Sequence, residues 1–211
     1  MSGALQTVFQ NLRSFGRAIG SPYEGGYYAG QISTAGNGVA DYNLVVGPVA
    51  SAQNSSKKWK LTNTSTSGTS SDINGPSNSA AMNDITHPAA YFCEGLTIGG
   101  FSDWYMPAKN ELEVCYYNLK PTTQTNQLGS GINPNAVPAR ASNYTSGIPA
   151  QTTASDFITS TGAEAFSTGG YWSSTEASST NAWGQTFGGG YQRDYQKGYS
   201  DRVRAIRRVA V

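Results

Sequence analysis

Apolar residues come in short bursts along the chain, and their spacing changes from one burst to the next. Leu5, Val8, Phe9, Leu12 and Phe15 recur at intervals of three and four, the spacing of one helical stripe, and Gly16 can end it. This predicts a helix over residues 4–15. Only about three turns long, such a helix is marginal alone in water, so its stripe must pack on its own domain, on sister copies or on a larger assembly. Residues 16–26 read as a linker. Residues 27–33 and 42–49 then read as strands, with a third over 59–62. A polar run of Ser, Thr, Asn and Gly over 60–79 reads as a loop, too long for a simple turn.

Helical spacing returns twice. In residues 88–96, Ala89, Phe92, Cys93 and Leu96 share a stripe, Pro88 sits in the first turn, and Gly99 and Gly100 close the unit. In residues 108–119, Leu112, Cys115, Tyr116 and Leu119 form the second stripe, which Pro121 stops. Both cysteines therefore lie on inward stripes, either as free buried thiols or as a disulfide between the two helices. Residues 121–170 are loop-like. The last forty residues read as three or four strands, the final one over 202–209.

One stretch of that last region stands apart. Residues 171–200 contain no Leu, Ile, Val, Met or Pro and are rich in Tyr, Ser, Gly, Thr and Gln. Without aliphatic side chains to bury, the stretch reads as a surface displayed on a scaffold built elsewhere. Its chemistry is that of a paratope, with flat aromatics for contact area and small polar residues for adaptable hydrogen bonds.

Composition narrows the function classes. The 211 residues suit one domain, or one with an appendage, and need no staples to fold. Charged residues make up only 13% and the net charge is +1, which argues against a nucleic-acid or membrane-surface partner. Arg202, Arg204, Arg207 and Arg208 are locally basic and read as a solvated strand face. No apolar run is long enough to span a membrane. The opening residues have neither a basic n-region nor a clean apolar core, so the expectation is synthesis in a cytoplasm without export by the general secretory route.

Catalytic and metal motifs are missing. His87 is the sole histidine, so any Ser-His-Asp or Cys-His arrangement would depend on it; directly before Pro88, it reads as a helix-terminus residue. There is no HExxH, CxxC or paired-His spacing. The run Phe187-Gly188-Gly189-Gly190 lacks the strand-then-helix setting and the lysine of a phosphate loop, and reads as a hairpin turn. Asp194, Asp201 and Glu176 offer oxygens, but nothing in their spacing demands a cation. The expectation is a protein that binds and does not catalyse, with no cofactor and no metal.

The order of motifs adds a resemblance. GGFSDWYMPAKNELEVCYYNLKP at 99–121 is followed by YWSSTE at 171–176, NAWGQTF at 181–187 and VRAIRRV at 203–209. Together these resemble the C-type-lectin-like domains of bacterial surface proteins and of phage tail-fibre or receptor-binding proteins. DYNLVVGPVAS at 41–51 and HPAAYFC at 87–93 are similar to the phage-borne branch. The resemblance implies an α+β domain over residues 24–211, with two helices packed on a twisted antiparallel sheet and the N- and C-terminal strands paired. Residues 1–23 then form an anchoring or oligomerising helix and its linker. Trp104 would cap the core, and Trp172 and Trp183 would be either core or ligand-stacking residues. Ala108 replaces the family's usual Ser or Thr, so the side-chain half of a capping box with Glu111 is missing, at about 1 kcal/mol. The family's calcium signatures are absent. Its oxidase relatives need a reactive cysteine pair late in the domain, whereas both cysteines here precede residue 116.

The resemblance also implies that the late strands and their loops carry the ligand face. The candidate contacts are Asn181, Gln185, Tyr191, Arg193, Asp194, Tyr195, Lys197 and Tyr199. Among them Tyr191, Asp194, Tyr195 and Tyr199 also fit the variable proteins of diversity-generating retroelements. The implied function is a phage virion adhesin that recognises a bacterial surface receptor, protein or polysaccharide. Its first helix would dock to other virion proteins, in a homo-oligomer expected to be a trimer from how phage fibres are built. Two alternatives stand beside it: a structural virion component, such as a capsid decoration or baseplate protein, and a cellular surface-binding module, against which the missing export signal weighs.

Overall fold

The computed structural model describes residues 16–211, so the helix predicted over residues 4–15 lies outside the described residues. The first sheet is built from β1 (Pro22–Tyr23), β2 (Gly26–Ile32) and β3 (Tyr42–Val46). A four-residue helix, α1 (Val49–Ala52), leads into β4 (Gln53–Lys58). Three helices follow: α2 (Gly75–Ala80), α3 (Pro88–Glu94) and α4 (Lys109–Leu119). After the short β5 (Ala136–Val137) and a 3-10 turn at Ser155–Phe157, the chain closes with five strands. These are β6 (Gly170–Glu176), β7 (Asn181–Thr186), β8 (Gln192–Gln196), β9 (Ser200–Arg204) and β10 (Ile206–Ala210).

The order in the first sheet is β1-β2-β3-β10, with β5 also on β2; in the second it is β4-β9-β6-β7-β8. Every pairing is antiparallel except β6 with β9. The architecture is mixed α+β with four helices among the described residues, where the sequence predicts two. The C-terminal strand β10 pairs with β3, from Ile206↔Val46 to Ala210↔Tyr42, and not with the first strand.

Three expectations need correction. The third strand is β4, over Gln53–Lys58, and not residues 59–62. Trp59 instead turns fully inward, and its indole N–H donates to the Ser173 carbonyl at 2.8 Å. The polar run over 60–79 contains α2, started by Pro76 in its first turn and by the Asn74 side chain accepting the Ser77 N–H at 3.3 Å. The linker over 16–26 joins the domain by residue 20: Gly20 N–H bonds the Tyr28 carbonyl at 2.8 Å, and Tyr28 N–H bonds that of Ser21 at 2.9 Å. Gly20 has φ +78, and a Cβ there would fall 2.5 Å from that of Ala154, so the entry into β1 requires glycine.

Two apolar cores hold the elements. The first sets Leu112, Cys115, Tyr116 and Leu119 of α4 against Ala29 and Ile32 of β2, Leu44 and Val46 of β3, and the rings of Phe157, Phe166, Tyr171 and Phe187. Phe166 and Phe187 stack with centroids 4.0 Å apart. The second gathers Trp59, Trp104, Trp172 and Val203 around Ala89, Ala90 and Cys93 of α3. Burying each such large apolar side chain contributes about 1.5–3 kcal/mol. Cys93 and Cys115 lie in different cores as free thiols, and burial pushes both up from the ordinary thiol range.

The C-terminal arginines are not a solvated face. Arg204 is buried, donating from Nε to the Gly47 carbonyl and from Nη1 and Nη2 to the Glu164 carbonyl and carboxylate, all at 2.8 Å. Arg207 grips Asp103 in a two-pronged pair at 2.7 and 2.9 Å, and Arg208 bonds Glu111 at 2.7 Å. Arg202, beside Asp201, stays partly exposed. Buried guanidinium groups need this full complement of acceptors, and β10 is thereby tied to α4 and to the loop before it.

Candidate functional site

The aliphatic-free region splits into a buried frame and an exposed edge. In β6, Tyr171, Trp172, Ser173, Ser174 and Thr175 are all buried. This corrects the reading of residues 171–200 as surface throughout: aromatic rings replace aliphatics in the core, and buried hydroxyls find partners. Ser173 Oγ, for example, donates to the Trp183 carbonyl at 2.9 Å. The turn Phe187–Gly190 does join β7 to β8, but Phe187 belongs to the core. Gly190 has φ +72, and a Cβ on it would fall 2.3 Å from the Tyr116 ring.

Strand β8 pairs only with β7 and forms one edge of its sheet, β4 forming the other. All five of its residues are exposed or half-buried. The register Ala182↔Tyr195, Trp183↔Asp194 and Gly184↔Arg193 sorts the side chains onto two faces. On one, Tyr195 lies over Gly184, where a Cβ would touch its ring at 3.4 Å, and meets Trp172 edge-on. The Arg193 guanidinium covers the Tyr195 ring at 4.0 Å and reaches Tyr191 at 5.6 Å. On the other, the Asn181 amide donates to Asp194 at 2.7 Å, and the Lys109 ammonium sits 4.0 Å above the Trp183 ring. Tyr199, in the turn before β9, is 60% exposed. Six of the eight candidate contacts thus lie on or beside one strand edge.

Gln185 and Lys197 do not. Gln185 is buried, its amide donating to the Tyr144 hydroxyl at 3.2 Å. Lys197 is fully buried as well: it pairs with Glu176, donates to the Thr64 and Ser179 carbonyls at 2.9 Å, and lies 4.9 Å from the Trp59 ring. Polar type alone marked both as surface; Tyr144, which accepts from Gln185, and Thr64 and Glu176, which accept from Lys197, are 41, 133 and 21 residues away. Both belong to the buried frame and are not displayed on the strand edge.

Trp172 is a core residue, while Trp183 is half-buried. With Lys109, Ile132, Asn143 and Gln192, Trp183 lines a groove of about 190 Å³ behind β8. Sequence reasoning missed this neighbour of the strand edge. The available signal was Leu128 and Ile132, two aliphatics set next to glycines in an otherwise polar loop.

His87 starts α3 without capping it; its ring lies buried between Thr66 and Asp84. The three carboxylates weighed as cation ligands are separately engaged, Glu176 by Lys197, Asp194 by Asn181 and Asp201 by Arg202. Among the described residues no three His, Cys, Asp or Glu side chains converge on one point, and no helix is long and apolar enough to cross a membrane.

These features define an α+β domain that carries the exposed β8 edge on a frame of buried aromatic and ion-paired side chains. The chain belongs to the Lcl C-terminal domain family, whose model matches residues 51–207, and its mixed α+β architecture is consistent with a lectin-like fold. No curated protein matches it.

Proposed function

We propose that this protein is a phage virion adhesin with a C-type-lectin-like fold, holding the β8 edge and its flanking turns against a receptor on the bacterial surface. The supporting observation is the contrast within one region: Tyr191, Arg193, Asp194 and Tyr199 are exposed while the strands beneath them are buried and hydrogen-bonded. Tyrosines give contact area at low entropic cost, and the charged residues give orientation. Recognition of this kind has no catalytic step. Single contacts of this size are weak, so several copies per particle, in a trimer docked to other virion proteins through the helix predicted over residues 4–15, would supply avidity.

The test is adsorption by particles carrying Tyr191→Ala, Arg193→Ala and Tyr199→Ala together. Loss of adsorption with normal particle yield is expected. Normal adsorption removes the adhesin reading.

A second reading has its own observation. Ile85 and Tyr91 are 74% and 49% exposed, and with Lys57, Phe92 and Leu96 they line an apolar groove of about 470 Å³. A permanent neighbour there would make the chain a structural virion component. Under that reading Ile85→Asp with Tyr91→Asp blocks particle assembly, whereas the adhesin reading leaves yield unchanged.

A further inference from the structure

We infer that the recognition surface extends from β8 onto residues 127–132, and that its partner is a protein presenting an apolar side chain beside a carboxylate. This rests on the adhesin reading and gives it a class of receptor.

The loop is fastened to the strand edge. Gln127 N–H bonds the Gly189 carbonyl at 2.8 Å, Gln192 N–H bonds Ser130 Oγ at 2.9 Å, and Gly131 N–H bonds Gln192 Oε1 at 3.1 Å. From behind, Tyr144 N–H holds the Ser130 carbonyl at 2.7 Å. The loop therefore keeps its place against the hairpin. It carries Leu128, 61% exposed, and Ile132, 53% exposed, alongside the turn that presents Tyr191, 40% exposed. Single exposed aliphatics are ordinary, but two held in fixed positions next to an exposed tyrosine and a groove make a patch.

The chemistry of the patch selects its partner. A glycan hydroxyl laid against Leu128 or Ile132 would lose its water and gain no hydrogen bond, which is unfavourable. An apolar side chain placed there gains by leaving water. On the strand to which this loop is bonded, on the face that Tyr191 and Tyr195 share rather than on that of Ile132 and Trp183, Arg193 stacks on tyrosine rings and makes no ion pair with any described residue, so its guanidinium can take a carboxylate of a partner that straddles the strand edge. Tyrosine, arginine and exposed aliphatic side chains along one strand edge are the make-up of protein–protein contacts.

The experiment uses the full chain and intact cells of the bacterium that hosts the virus, either untreated, digested with proteinase K, or oxidised with periodate. Binding is expected to survive periodate and to vanish after proteinase K. Leu128→Asp, Ile132→Asp and Arg193→Glu should each weaken it at least tenfold with unchanged melting temperatures. Binding that survives protease and is lost to periodate means a glycan receptor; the inference then fails while the adhesin reading stands. Protease-sensitive binding that Leu128→Asp and Ile132→Asp leave intact overturns the extension onto the loop. No binding of the unaltered chain to untreated cells sinks the adhesin reading, and the inference with it.

Discussion

Tyr195 stands edge-on to Trp172, with ring centroids 5.9 Å apart and planes at 86°. Trp172 is buried, and its indole N–H donates to the Lys57 carbonyl at 2.9 Å. The pair joins the displayed strand to the second core, so Tyr195 supports the edge as well as belonging to it. Tyr199 has no aromatic partner among the described residues and is mostly exposed.

Two substitutions separate these roles. Tyr195→Ala removes the ring from Trp172 and from beneath Arg193, and should lower unfolding free energy by about 1–3 kcal/mol. Tyr199→Ala should stay within about 0.5 kcal/mol of the unaltered protein. Urea unfolding measures both, and equal losses would contradict the division of the strand into support and contact.

The buried pair of Lys197 and Glu176 makes a second case. Glu176 also accepts the Thr66 N–H at 3.0 Å, so the pair binds residues 64–66 to the turn between β6 and β7 and to the turn that follows β8. Glu176→Ala leaves a buried ammonium without its counter-ion and should cost about 3–5 kcal/mol. Adding Lys197→Met removes the stranded charge, so the double variant should be more stable than the sum of the two single losses predicts. Strict additivity in urea unfolding would show that the pair is not coupled.

Much of this architecture was legible from spacing. The stripes over 88–96 and 108–119 are helices, and the runs starting at Tyr27 and Tyr42 are strands, because each pattern reflects a face turned toward a core. The display region was legible only in half. Lack of aliphatics marks β8 correctly, but the same rule fails for Tyr171 and Trp172, whose rings bury as well as any leucine. The arginines were misread for another reason. Arg204 meets Glu164 and Arg207 meets Asp103, partners 40 and 104 residues away, and no local pattern encodes such distances. Lys197 failed the same way, its acceptors Thr64 and Glu176 being brought in by the fold.

Glu111 shows how a missing cap is offset. Ala108 has no side-chain acceptor, yet Glu111 Oε2 takes the Ala108 N–H at 2.8 Å and the Gly75 N–H at 3.1 Å, while Oε1 accepts from Tyr105 and Arg208. One carboxylate thus serves α4, α2 and β10. Glu111→Ala strands four donors, including a largely buried guanidinium, and should cost about 3–5 kcal/mol. Glu111→Gln, which replaces an accepting oxygen with a donor, should still be destabilising. A melting temperature unchanged in both variants would remove Glu111 from this role.

The sole histidine gives the domain a specific response to acid. His87 Nδ1 lies 3.0 Å from an Asp84 carboxylate oxygen, which can only accept, so Nδ1 is assigned the proton. Nε2 then accepts from the Thr66 hydroxyl at 2.9 Å, and Thr66 Oγ1 accepts from the Lys60 ammonium at 3.0 Å. A second proton on the ring would turn a donor toward Thr66 and place a charge near Lys60 and Lys197. Burial, the largest cause, holds the imidazole below its ordinary range; Asp84 opposes this, and the two lysines add to it. The unfolded chain titrates this histidine near pH 6.5, roughly its free value. Between that value and the lower native one, the unfolded state binds a proton that the native state does not, so stability falls as pH falls through about 6.5, by up to about 1.4 kcal/mol per unit. It levels off once the native ring protonates. Glu94, Glu111 and Asp201, whose carboxyls burial raises, slope the opposite way at the acid end of this range. The measurement is therefore the difference between the unaltered chain and His87→Gln in urea unfolding from pH 5 to 7.5. The unaltered chain should lose stability relative to the variant on acidification, and parallel curves would mean that the ring takes up its proton as readily in the folded protein as in the unfolded one.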